Sequence, residues 1–169
     1  MVLIWVILGL TLSPSYHAKH SIEIGRPVTQ VAPLLTDLSR WPSWLALAQF
    51  ESNAEIMVPA KPQGVGANIY WSGESSKGEL SIINMTESEL LFQVLINNEF
   101  LSRGSIAIQP TAQGTVVTWS QTGDVSIPVF GPYLAWFAQH QLQNTIIHSL
   151  NNLKTNAELP QAAPQSGKE

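Results

Sequence analysis

The sequence predicts an α+β domain, a curved antiparallel sheet of seven strands wrapped around one long carboxy-terminal helix, with two short helices between strands one and two. Three observations carry this. Behind Pro132 runs YLAWFAQHQLQNTIIHSLNNLKTN, a stretch without glycine or proline, and proline is well placed to open a helix because the first turn has no partner for the missing amide. Ahead of it lie six consecutive segments of strand character divided by short turns, and connections that short imply antiparallel neighbours. A single sheet with a single long helix must curl around it to bury the apolar faces they share.

In chain order, residues 1–12 (MVLIWVILGLTL) are uncharged and almost wholly apolar, and Ser13-Pro14-Ser15 ends the run. Twelve helical residues reach about 18 Å, short of the roughly 30 Å hydrocarbon core of a bilayer. Residues 1–15 are therefore expected to be a hydrophobic membrane anchor or signal segment, and the protein to be membrane-anchored by one amino-terminal pass or exported. The lack of a preceding basic residue and the Tyr16-His17-Ala18 sequence argue against cleavage. With only Lys19 and Arg26 following, the side of the membrane stays open.

Residues 20–24 alternate polar and apolar and read as the first strand, stopped by Gly25-Arg26-Pro27. Residues 28–38 read as a short helix with Thr29 as a possible cap, and Pro33 limits how early it can begin. Ser39-Arg-Trp-Pro-Ser-Trp44 turns into a second short helix or bend. The six further strands are expected at about 48–57, 66–73, 78–86, 90–97, 101–109 and 114–123. Residues 159–169 (LPQAAPQSGKE) have the composition of a disordered tail, leaving 16–158 as the folded domain.

On the long helix, Ala135, Trp136, Leu142, Ile146, Ile147, Leu150 and Leu153 fall on one broad face at about 100° per residue. Gln139 and Gln143 fall in the middle of that face. An unpaired buried amide costs roughly 1–3 kcal/mol, so a helix lying on a dry core would not carry two of them there. A helix closing over a cavity would, with water or ligand as partner. On segment 114–123, Val117, Trp119 and Gln121 share the more apolar side and are assigned inward. The buried indole N–H then needs an acceptor, and Gln121, Gln139 or Gln143 can serve. Ile69 and Trp71 share a side of segment 66–73, and Tyr133 and Trp136 lie near the start of the long helix. The candidate ligand-binding residues are thus Trp71, Trp119, Gln121, Tyr133, Trp136, Gln139 and Gln143.

Composition sets the bounds. Hydrophobic residues make up 44% and charged residues 12%, the latter about half the usual fraction of roughly 25%. A net charge of −4 without a basic cluster argues against a nucleic-acid partner. No cysteine is present, which excludes disulfides, thiolate metal sites and a cysteine nucleophile. His17, His20, His140 and His148 have no metal-ligand spacing, and Glu74 and Glu79 flank a turn, so no metal, cofactor or catalytic residue is expected.

These residues resemble a known family. Ser21-Ile-Glu-Ile24, Pro27 and the helix through Leu35-Thr-Asp37, with Trp41 and Trp44, are similar to the opening of the START/Bet v 1-like (SRPBCC) superfamily, in its polyketide cyclase/dehydrase and lipid-transport group. Gly64-Val-Gly66-Ala with Trp71-Ser-Gly73, Gly78, Gly114-Thr-Val-Val-Thr-Trp119 with Gly123-Asp124, and Leu150-Asn-Asn-Leu-Lys154 resemble its later strands and last helix. Pro14-Ser-Tyr16-His17 resembles the junction in its membrane-anchored members. The resemblance covers about 16–158 and implies the helix-grip fold. The cavity-facing helix, with its amides amid apolar residues, motivates the leading expectation, non-catalytic binding of a hydrophobic small molecule or lipid in a cavity between sheet and helix. A cyclase/dehydrase-type enzyme and a protein-interaction module are the alternatives. Two departures stand out: relatives have an aromatic near Ala32 without Pro33, and a small residue where this chain has Gln143, so the cavity is expected to be reshaped.

Overall fold

The computed structural model describes residues 13–47, 53–125, 127–128 and 130–159. The strands are β1 (Ser15–Ile24), β2 (Glu55–Met57), β3 (Asn68–Ser72), β4 (Lys77–Met85), β5 (Glu89–Ile96), β6 (Phe100–Thr111) and β7 (Gly114–Asp124). They form one antiparallel sheet in the order β1-β7-β6-β5-β4-β3-β2. Between β1 and β2, α1 (Val28–Thr36) and a 3₁₀ helix (Leu38–Ser43) carry the chain from one edge of the sheet to the other. The last element is α2 (Gly131–Glu158), with a proline in its first turn. The helix-grip architecture expected from the sequence is present.

Alternation explains which side of the sheet is core. Ile69 and Trp71, Leu80 and Ile82, Leu90, Phe92 and Val94, Ile106 and Ile108, and Val117 and Trp119 are all buried on the inner face. The pattern breaks at a bulge between Ile82 and Asn84 in β4, where Ile83 and Asn84 both lie outward and Met85 returns to the core side. β1 starts at Ser15, five residues before the segment read from the sequence. Residues 48–52, expected to open the second strand, and 160–169, most of the expected tail, lie outside the described residues.

Two helix details differ from expectation. Thr29 does not cap α1; Pro27 holds the N-cap position without a side-chain bond, and its carbonyl accepts from Gln30 and Val31 at 2.9 and 3.3 Å. The helix also continues through Pro33. Burial of Val31 and Leu35 on either side of that proline, both fully enclosed, offsets the lost backbone bond. The 3₁₀ helix is capped by Asp37, which accepts from the Ser39 amide at 2.9 Å and from Gln63 at 2.9 Å. The Ser39 hydroxyl also donates to Oδ1, and that bond first, then those from Gln63 and the Ser39 amide, holds the Asp37 carboxyl below its ordinary range.

The largest correction concerns the face of α2. Gln139 and Gln143 do not point into a cavity. They bond to the open edge of β1: Gln139 Oε1 accepts from the His17 amide at 3.3 Å, and Gln143 accepts from the Lys19 amide and donates to the Lys19 carbonyl, each at 3.2 Å. Farther along, Lys154 donates to the Glu23 carbonyl at 2.6 Å and Glu158 accepts from the Gly25 amide at 2.9 Å. The helix therefore runs parallel to β1. Four helical residues advance about 6.0 Å and two strand residues about 6.6–6.8 Å, so side chains at that helical spacing meet every second residue of the strand. A strand edge carries unpaired N–H and C=O groups, and amides satisfy both. Gln143→Ala is expected to destabilise the protein by about 1 kcal/mol and to speed hydrogen exchange at the Lys19 amide. Lost stability with unchanged exchange there would argue against this edge pairing.

The expected membrane-anchored or exported localisation is also corrected. Among the described residues no helix is long and apolar enough to cross a membrane. Residues 1–12, on which that expectation rested, lie outside the described residues.

Candidate functional site

The 3₁₀ helix supplies the site's foundation. Trp41 and Trp44 point down from it onto the sheet and are fully buried, each donating its indole N–H to a carbonyl of α1, Leu35 at 2.9 Å and Leu34 at 3.0 Å. Trp41 lies 4.8 Å from Trp44 and 6.2 Å from both Phe92 and Trp119, ring centre to ring centre. Phe92 and Trp119 meet edge to face at 5.8 Å. These four rings fill the core beneath α1.

Beyond Trp119 the space between sheet and α2 is not filled. A cavity of about 310 Å³ remains, at the lower end of the roughly 300–1,000 Å³ of small-molecule sites. Its walls are Leu45 and Leu47 after the 3₁₀ helix, Ile69, Trp71, Leu80, Val94 and Ile96 from the sheet, and Ala138 and Leu142 from α2. Trp71 is held flat against the sheet because its cross-strand partner is Gly78. A Cβ at that position would collide with the Trp71 ring.

One end of the cavity is polar, and strand register explains how. Gly123 pairs with Tyr16 on one side and with Ser102 on the other, so these three stand in a single row across β1, β7 and β6. Gly123 leaves room for the phenol, since a Cβ there would meet the Tyr16 ring and hydroxyl. Tyr16 thereby faces Ser102 across the bare middle strand. Gln121, two residues back on β7, donates from Nε2 to Ser102 Oγ at 2.9 Å and accepts from the Trp119 indole at 3.2 Å. Burial pushes the Tyr16 phenol above its ordinary range, hydrogen bonding with Ser102 opposes this, and the nearby Asp124 charge adds to the rise. Gln141 and Thr145 of α2 also border the cavity, and the Thr145 hydroxyl is bonded back to the Gln141 carbonyl at 3.0 Å.

The residues read from the sequence divide accordingly. Trp71, Trp119 and Gln121 line the cavity, and of the three glutamines named as partners for the Trp119 indole, Gln121 is the one bonded to it. Tyr133, Trp136, Gln139 and Gln143 are not among the lining residues. Trp136 is 72% exposed and stacks on His140 at 6.5 Å, and the two glutamines hold β1. Leu142, on the broad face of the helix, lines the cavity as that face implies, whereas Tyr16, Ser102, Gln141 and Thr145 are lining residues the sequence does not single out. Ser102 had a signal: it stands in the inward phase set by Ile106 and Ile108. Tyr16 had none in a reading that began β1 at residue 20.

A family model described as "Polyketide cyclase / dehydrase and lipid transport" matches residues 15–158. No match is found among curated proteins. Among solved structures, a Thermobifida fusca protein is 19% identical, with 83% of this chain and 92% of that one covered and a TM-score of 0.65. A Thermus thermophilus protein, TTHA0849, is 21% identical, covering 85% and 97% with a TM-score of 0.61. Protein MLL2253 from Mesorhizobium loti is 15% identical, covering 86% and 99% with a TM-score of 0.63. At these identities the likeness speaks for the fold.

Proposed function

As the chain belongs to the polyketide cyclase/dehydrase and lipid transport family, we propose that it binds a hydrophobic small molecule or lipid in the cavity between sheet and α2, without catalysis. The observation that carries this reading is the cavity itself, with Trp71 and Trp119 in its wall and Gln121 at its polar end. Among the described residues that line it, none is Asp, Glu, His, Lys or Arg. A cyclase- or dehydrase-type reaction asks for a general acid or base beside a reacting carbonyl; among the described lining residues the one titratable group is the Tyr16 phenol, which burial raises above its ordinary range, and the rest of the wall is apolar groups, hydroxyls and amides. The interaction-module reading draws on the exposed side chains of Phe130, Trp136 and Phe137, but the open space beneath α2 favours a ligand.

The full chain, stripped of co-purifying lipid, is expected to take up an uncharged environment-sensitive dye, with energy transfer from Trp71 and Trp119 and release by competing hydrophobes. Native mass spectrometry before stripping should show a small apolar adduct. A protein that neither carries nor takes up such a molecule has no binding function in this cavity.

A further inference from the structure

The hydrogen-bonded row at the polar end of the cavity has a direction. An indole nitrogen can only donate, so the atom of Gln121 that meets Trp119 is its oxygen, and the amide nitrogen is turned to Ser102. The Ser102 oxygen accepts that bond, which leaves its own proton available for Tyr16, the group it faces across Gly123. With Ser102 donating to Tyr16, each donor in the row is consumed by the next acceptor and the phenolic proton is left for a ligand. Burial and the Asp124 charge keep that phenol protonated. The polar end of the cavity, which Gln141 and Thr145 of α2 also border, therefore presents a phenolic donor.

Charge is the second constraint. No basic residue lies among the described lining residues, and residues 48–52 (AQFES), which follow the wall residue Leu47, contain none either. A carboxylate or phosphate moved into such a site loses its hydration without gaining a cation, which is strongly unfavourable. Ionised lipids are poor guests by this argument.

Resting on the reading of the cavity as a ligand site, we infer that its ligand is an uncharged hydrophobe bearing a carbonyl, an ester or ketone, whose oxygen accepts from the Tyr16 hydroxyl. The selectivity is neutral over anionic, with Trp71 and the aliphatic wall taking the chain.

The test compares methyl decanoate, sodium decanoate at pH 8 and undecane as competitors of the uncharged dye, on the full chain and on Tyr16→Phe. The unaltered chain is expected to bind the ester at least about tenfold more tightly than the carboxylate. Tyr16→Phe should weaken the ester about tenfold and leave undecane within about twofold. If Tyr16→Phe does not fold, Gly123→Ala, which displaces the phenol from Ser102, should produce the same selective loss. Carboxylate binding equal to or tighter than the ester overturns the inference, and so does an unchanged ester affinity in a folded variant; either result leaves the cavity a ligand site. Failure of all three probes to displace dye from the unaltered chain overturns the inference together with the binding function.

Discussion

Trp41→Ala is expected to lower the unfolding free energy by about 3–5 kcal/mol, the largest loss of any single substitution considered for this protein. The side chain is fully enclosed and touches Trp44, Phe92 and Trp119 at once. Its removal opens a void at the junction of the 3₁₀ helix and the sheet. It also strands the Leu35 carbonyl, which accepts the indole N–H at 2.9 Å. Domains have only about 5–15 kcal/mol in total, so the variant would stand near its unfolding threshold at ambient temperature. Urea denaturation measures this directly: the midpoint should fall by a large fraction while the slope stays constant. Trp41→Phe should retain part of the stability, since a ring remains against Phe92. A loss below about 1 kcal/mol in Trp41→Ala would show that the four-ring cluster is not the centre of the core, because truncating a well-packed large aromatic costs several times that.

Ala138→Phe is expected to have the largest effect on binding. Ala138 faces the cavity from α2 and is not one of the residues that pair with β1. A phenyl ring there would occupy a substantial part of the about 310 Å³ of space without removing an existing hydrogen bond. Affinity for an uncharged hydrophobe should fall about 10- to 100-fold, equivalent to about 1.4–2.8 kcal/mol. Stability should hold or rise slightly, because an apolar void is being filled. Calorimetric titration of the dye together with a thermal melt separates the two quantities. Unchanged affinity in a folded Ala138→Phe variant would place any bound hydrophobe outside this cavity. Coupled loss of binding and stability would show instead that the inserted ring disturbs the seat of α2.

The two substitutions sit on opposite sides of what could be read from the chain. Trp119 was placed inward correctly because a strand has only two faces, and Val117 and Gln121 share its phase. The strands on either side of each short turn were legible for the same reason. The rotation of α2 was not. Its broad face holds both apolar residues and two glutamines, and periodicity does not distinguish an amide aimed at a cavity from one aimed at a strand edge. The distinction depends on β1 lying beside the helix, which brings residues 19 and 143 together across more than a hundred positions. Trp136 likewise lies 72% exposed, off the core-facing side that periodicity assigns it.

Tyr16 shows the limit in a second way. Its place in the site comes from a row of three residues on three strands, with the middle one a glycine. None of the three carries a local pattern that announces the others. Their meeting follows from the register of two strand pairs, which the burial of the whole inner face sets.

By itself, then, the sequence determined the order of strands and helices, the inward face of the strands and the membership of a family, because backbone propensity, alternation and turn chemistry act over a few residues at a time. Tertiary structure alone decided which side of α2 meets the sheet edge, which polar groups ring the cavity and that the cavity remains open. Those outcomes depend on contacts between residues far apart in the chain, whose free energies are balanced only once the sheet has curved and the helix has docked against it.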